Sequence, residues 1–276
     1  MNEGLIVFFI FLGLAVVALA IIIPSSIIHK KYKDFALLHS LAIKELRNIN
    51  NHYRFNSIRE HNQANSYDNE NYYDMISTKD YLIYQLVYIQ KEVLTALNDT
   101  SGNRIFFEKY KNEIAEKCHL NTFDTEELLK NRNKLARIEK KLFEKEIKTP
   151  RTEYWINVYL ELTKINGRHV CSKRNTFYEK DIRSLIERIN NRRNGFYLDE
   201  EIWKAICRVE RGKVSNKLRF AIYARDGYRC RKCGRKTDDL EIDHIIPIAK
   251  GGKTVYDNLQ TLCHRCNKRK GSDLEY

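Results

Sequence analysis

Residues 216–272 read NKLRFAIYARDGYRCRKCGRKTDDLEIDHIIPIAKGGKTVYDNLQTLCHRCNKRKGS. Two Cys-x-x-Cys knuckles, Cys230/Cys233 and Cys263/Cys266, are separated by 29 residues. Four thiolates in this arrangement suit tetrahedral zinc, and the doubling argues against a single thioredoxin-like redox pair. Between the knuckles, residues 240–249 (LEIDHIIPIA) carry the β-branched side chains of a strand, with Pro247 marking an edge or bend. Lys250-Gly251-Gly252-Lys253 makes a turn, residues 258–262 return as strand or loop, and residues 267–270 begin a short helix. The expected module is a β-hairpin plus helix pinned by one structural zinc.

Charge singles out the same region. The chain has 276 residues with 49 Lys+Arg against 36 Asp+Glu, net +13. Residues 211–276 hold 16 basic and 8 acidic side chains, so more than half of the excess lies there. A basic excess in one small module is what a polyanion-binding surface needs. Mean hydropathy of −0.56 excludes a multi-pass membrane protein. Only 3 Pro and 11 Gly disfavour loop-rich all-β folds, and 7 Cys are too sparse for a small disulfide scaffold.

At the other end, residues 5–23 (LIVFFIFLGLAVVALAIII) contain no charge. As a helix this stretch spans roughly 28 Å, close to a bilayer core. Pro24 interrupts it, and Lys30, Lys31 and Lys33 follow, whereas Met1-Asn2-Glu3 precedes it without a cation. These flanks predict an uncleaved anchor with the N-terminus outside and the body in the cytoplasm.

The middle reads as helical. Apolar spacings of three and four predict helices over 35–49, 81–97, 105–118 and 124–147, with 50–78 a loop and 98–103 a turn. Beyond Pro150, Thr152 caps a predicted helix bearing Trp155, Tyr159 and Leu162, followed by helices over 181–189 and 198–209. No catalytic pattern stands out in residues 30–210, where the histidines are scattered and Cys118, Cys171 and Cys207 stand alone.

The motifs Arg225-Asp226-Gly227, Cys230, Cys233-Gly234, Asp243-His244-Ile245-Ile246-Pro247, Lys250-Gly251-Gly252, Asp257-Asn258-Leu259, Leu262-Cys263, Cys266-Asn267 and Lys270-Gly271 occur in order. Together they resemble an HNH endonuclease domain of the ββα-metal type, in the zinc-bearing McrA-like branch. The resemblance covers less than a quarter of the chain. It implies His244 as general base, Asn258 orienting the His244 ring, and Asp243 with Asn267 as ligands of a catalytic Mg²⁺ or Mn²⁺. Asn267 stands where the family often has His; its amide oxygen still suits a hard cation. The resemblance keeps zinc in the Cys230/Cys233/Cys263/Cys266 cage structural. Arg219, Arg225, Arg229, Arg231, Lys232, Lys268, Arg269 and Lys270 are the candidate phosphate contacts.

The expected fold is therefore mainly α with a small α+β C-terminal module. The expected domains are an anchor (1–29), a helical spacer (30–149), a helical connector (150–210) and the nuclease module (211–276). The expected function is an inner-membrane-anchored DNA endonuclease acting against incoming phage or plasmid DNA. The expected partners are DNA, the bilayer through residues 5–23, a second copy through the 124–147 helix, and a protein bound by residues 30–210. The alternative is a non-catalytic, membrane-tethered zinc-ribbon DNA-binding or adaptor module.

Overall fold

Ile156, Val158, Leu160 and Leu162 are buried while the side chains between them are not, the period-two signature of a strand with one face in a core. The computed structural model, which describes residues 26–125, 131–164, 166–193 and 196–274, makes this segment the centre of a sheet. The helix expected after Thr152 is thus corrected. Its Trp155/Tyr159/Leu162 spacing is incidental, and each of the four alternating aliphatics gains roughly 1.5–3 kcal/mol by burial.

After a helical stretch over residues 26–39, the elements are α1 (Leu41–His52), β1 (Gln63–Tyr67), α2 (Glu70–Met75), α3 (Thr78–Lys117), α4 (Arg132–Glu146), β2 (Trp155–Thr163), β3 (His169–Tyr178), α5 (Glu179–Asn190), β4 (Arg192–Arg193) and β5 (Phe196–Tyr197). They continue with α6 (Glu200–Gly212), α7 (Asn216–Arg225), β6 (Leu240–His244), β7 (Leu259–Cys263) and α8 (His264–Lys270). The main sheet has the order β1-β2-β3, with β1 parallel and β3 antiparallel to β2.

The chain divides into two compact units. One takes in the described residues of Met1–Ser57 and Asp99–Thr152. There Ile43, Leu46 and Ile49 of α1 pack with Tyr110 and Phe143. Ser40 caps α1 by accepting from the Ile43 amide, and its hydroxyl donates to the buried Glu139 carboxylate at 2.6 Å. Residues 98–103, expected as a turn, lie inside α3. The buried Asn103 side chain accepts from the Asn56 amide and donates to the Asn56 carbonyl, so tertiary bonds absorb the polar group that signalled a turn.

The second unit, Ile58–Asn98 with Glu153–Tyr276, carries the C-terminal module. Ile182, Leu185 and Ile186 of α5 and Ile202, Ala205 and Val209 of α6 share one core with the sheet and with Leu82, Ile83 and Leu86 of α3. Asp199 caps α6 through the Glu201 and Ile202 amides. Arg208 clamps the buried Asp80 with both Nε and Nη2. Ser215 caps α7, whose Ile222 packs with Val214 and Leu259 and so ties β7 to the end of α6.

The membrane expectation is corrected too. Among the described residues no helix is long and apolar enough to cross a membrane. Even α3, at 40 residues, carries charges from Lys79 and Asp80 through to Glu116 and Lys117. The span expected over 5–23 lies outside the described residues. What is observed is a mainly helical chain with a small C-terminal α+β module bearing four clustered cysteines.

Candidate active site

The β6–β7 hairpin pairs Leu240 with Cys263, Asp243 with Gln260 and His244 with Leu259. This register brings the second knuckle against the base of β6. The Sγ atoms of Cys230, Cys233, Cys263 and Cys266 all lie within 4.8 Å of one another, with Cys233 and Cys263 3.9 Å apart. Tetrahedral zinc–thiolate bonds place sulfurs about 3.8 Å apart, so the donor set and its spacing fit zinc. The first knuckle closes through the Gly234 amide on the Cys230 carbonyl at 2.8 Å, with Gly234 at φ 71°. Burial raises the Cys230 thiol, but the Cys263, Cys233 and Lys232 amides outweigh it and bring it down to about 6, favouring thiolate.

Strand alternation would send Asp243 and His244 to opposite faces. His244 is the last residue of β6, however, and the chain bends at Ile245 and Ile246. Asp243, His244 and Asn267 consequently line one cleft of about 530 Å³, walled by Trp203, Arg211 and Ile248. Asp243 Oδ2 accepts from Gln260 Nε2 and from the Lys270 ammonium, both at 3.0 Å. Oδ1 is then the oxygen that a cation would take. Asn267 donates through Nδ2 to Glu241 Oε2, which turns the amide's oxygen to the remaining direction. A carboxylate and an amide oxygen together fit a hard divalent ion.

His244 is 8% exposed, and its Nε2 lies 2.8 Å from Thr254 Oγ1. Thr254 Oγ1 donates its proton to the Glu210 carbonyl at 2.6 Å. A hydroxyl has one hydrogen, so Thr254 can only accept from His244. The ring is therefore protonated on Nε2, and Nδ1 carries the free lone pair. Burial lowers the imidazole below its ordinary 6.5, with Asp243 and Glu210 opposing and Arg211 and Lys270 assisting. The ring is thus neutral at pH 7.

Asn258 accepts from the Ile246 amide and donates to the Ile246 and Lys253 carbonyls. It staples the loop that carries Thr254, whereas the bonded partner of the His244 ring is Thr254 itself. The basic candidates separate into two groups. Arg225 holds the Tyr256 and Leu259 carbonyls and pairs with Asp226, which in turn accepts from the Thr261 amide. Arg219 donates to the Tyr72 hydroxyl, and Lys270 is buried on Asp243 and the His244 carbonyl. Arg229, Arg231, Lys232, Lys268 and Arg269 are exposed.

Sequence reasoning missed Thr254, Gln260, Glu241 and Glu210. Glu210 alone left a trace. It falls on the apolar stripe of α6 with Ile202, Ile206 and Val209, where an unpartnered carboxylate would be costly. Its side chain is buried, accepts from Tyr84 at 2.7 Å and from the Thr254 amide at 3.2 Å, and pairs with Lys213. Burial raises its carboxyl, but the Tyr84 bond and Lys213 prevail and hold it below the usual range.

Residues 230–273 match the HNH endonuclease family. A 57-residue stretch is 39% identical to the CRISPR-associated endonuclease Cas9 of Corynebacterium diphtheriae, over 20% of this chain and 5% of that protein. No solved structure matches the chain. The cysteine cage, the hairpin and the cleft residues Asp243, His244 and Asn267 all lie in the matched segment, so residues 230–273 are an HNH endonuclease domain.

Proposed function

We propose that the chain is a metal-dependent nuclease that hydrolyses DNA phosphodiester bonds, with residues 211–276 as its catalytic module. One observation carries this: a buried, neutral His244 with its Nε2 proton committed to Thr254 shares a cleft with the hard-oxygen pair Asp243 and Asn267.

In this proposal His244 Nδ1 takes the proton of the attacking water. Thr254 keeps that nitrogen unprotonated, and Asn258 acts at one remove by holding the loop on which Thr254 sits. Asp243 and Asn267 hold Mg²⁺ or Mn²⁺, which when bound polarises the phosphate and stabilises the leaving oxygen. The four cysteines hold zinc for structure alone. Arg229, Arg231, Lys232, Lys268 and Arg269 supply phosphate contacts, which confer affinity rather than sequence choice. The expected role against incoming DNA depends on a membrane anchor, which no helix among the described residues supports.

The test is plasmid nicking by the full chain, with and without Mg²⁺, beside His244→Ala. Mg²⁺-dependent nicking abolished by the substitution is expected. A folded, zinc-loaded, DNA-binding chain that never nicks, on modified as well as plain DNA, would overturn the proposal.

A further inference from the structure

A second cavity, of about 680 Å³, adjoins the cleft of His244, and the two share Trp203, Ile248 and Ala249. That volume lies within the range of small-ligand sites. Its lining combines flat π surfaces with cations. Tyr88, Tyr197 and Trp203 face it, and Arg192, Lys250 and Lys253 stand among them. Tyr88 is 51% exposed, although it belongs to α3, whose neighbouring positions pack in the core. The Arg192 guanidinium lies 4.1 Å from the Tyr197 ring centroid, and the Lys253 ammonium 4.5 Å from that of Tyr88.

The cavity wall formed by residues 248–253 is fixed by its backbone. Gly251 has φ 84°, and a Cβ at Gly252 would meet the Ile246 carbonyl oxygen at 1.8 Å. The loop therefore folds onto Ile246 as only glycine allows, and this presents Lys250 and Lys253 at the cavity. Aromatic faces beside cations are the chemistry that stacks a planar base and neutralises its phosphate. Arg192 and Lys253 already lie over the Tyr197 and Tyr88 rings, so a ligand must both draw these cations off and cover the faces they leave. A nucleotide does so with its phosphate and its base, and neither an aliphatic ligand nor a bare phosphate does.

Resting on the nuclease reading for its place beside the cleft, we propose that this cavity is a nucleotide subsite: it stacks one base on Tyr88, Tyr197 and Trp203 and holds the attached phosphate with Arg192, Lys250 and Lys253. The nucleotide comes either from the strand in the cleft or from a free mononucleotide. Its occupancy reaches the catalytic base along a short path. Glu210 lines the cavity, its carboxylate and carbonyl hold Thr254, and Thr254 holds His244.

The chain's tryptophans are Trp155 and Trp203, so a full-length Trp155→Phe chain reports through Trp203, which lines both the cavity and the cleft. The Tyr88→Ala substitution, which alters the cavity alone, tells the two apart: quenching that Tyr88→Ala leaves unchanged comes from the cleft and overturns the subsite. It is titrated without Mg²⁺ with the four deoxynucleoside monophosphates, with a single-stranded oligonucleotide, and with that oligonucleotide made abasic. Calorimetry of the unsubstituted chain with the same probes guards against a folding defect. Quenching by the oligonucleotide that vanishes when the bases are removed assigns the subsite to the strand. Quenching by a monophosphate assigns it to a free nucleotide. In either case Tyr88→Ala weakens binding at least tenfold. Equal quenching by the abasic strand, or no response to any probe, overturns the subsite. Plasmid nicking on the same preparation separates the two proposals: nicking without a Trp203 response sinks only the subsite, and a monophosphate response without nicking sinks only the nuclease.

Discussion

Thr254 Oγ1 lies 2.8 Å from His244 Nε2 and gives its only proton to the Glu210 carbonyl. This one hydroxyl decides which nitrogen of the imidazole can act as a base. Thr254→Val removes the acceptor, and single-turnover nicking should fall about tenfold to a hundredfold, within the range general-base positioning supplies. Thr254→Ser keeps the hydroxyl and should stay close to the parent rate. Nitrogen NMR of His244 should show the Nε2–H form in the parent and serine chains and a mixture in the valine chain. A valine chain nicking at full rate would refute the relay.

His244 is held below its ordinary 6.5 by burial. Between that lowered value and 6.5 the unfolded chain binds a proton that the folded chain refuses. Folding stability therefore rises with pH across this window and stops depending on the group above 6.5. On the proposed role of His244, nicking needs the neutral ring, so its rate should hold down to pH 6.5 and drop only beneath the lowered value. Urea midpoints and nicking rates across pH 5–8 check both trends; an acid limb of activity above 6.5 would contradict them.

Lys270 and its neighbours Lys268 and Arg269 look equivalent in sequence, yet only Lys270 is buried against Asp243. Lys270→Ala should cost about 3–5 kcal/mol, because it strands a carboxylate in the cleft wall. Lys268→Ala and Arg269→Ala should change stability by less than about 0.5 kcal/mol. Each should instead lower the salt dependence of DNA binding by about one counterion. Denaturant titration and salt-dependent anisotropy separate the two behaviours.

Gly252→Ala puts a methyl group into the Ile246 carbonyl oxygen. The loop from Ile246 to Thr254 must open, at a cost of at least about 2 kcal/mol. Because the same loop carries Thr254, activity should fall with stability. An alanine chain with unchanged melting and nicking would show that the loop relaxes freely.

The apolar cluster around the knuckles is Leu262 and Leu240 with three of the cysteines themselves. With so little hydrocarbon, the hairpin and α8 should depend on zinc. Mass spectrometry of metals should find one zinc per chain. Cys263→Ser or a strong chelator should release it and erase the hairpin's amide protection, with the Ile182–Val209 core still protected.

Local spacing by itself makes the module readable. Two Cys-x-x-Cys knuckles, Asp243-His244, Asn258 and Asn267 declare an HNH-type site because metal ligation and strand pairing act over a few residues. The helices at 132–146, 179–190 and 200–212 were legible for the same reason, through apolar periodicity. The β2–β3 hairpin was not. Trp155, Tyr159 and Leu162 satisfy a helical spacing as well as Ile156, Val158, Leu160 and Leu162 satisfy a strand, and pairing with β3, from Trp155–Tyr178 to Leu162–Cys171, settles the matter.

The charged residues divide along the same line. That Lys270, Arg225 and Arg219 are basic is written in the chain, and so is the concentration of charge at its C-terminal end. Which of them meets solvent and which holds a carboxylate or a carbonyl depends on where β7, α7 and α8 pack, a long-range property with no local code. Glu210 shows it most sharply. It lies 34 residues before His244 and outside the HNH match, yet α6 carries it to the loop that bonds the His244 ring. Composition and spacing sufficed to mark the HNH segment and its four cysteines. Packing of a neighbouring helix assigned the proton, because hydrogen bonds form between atoms close in space whatever their distance in sequence.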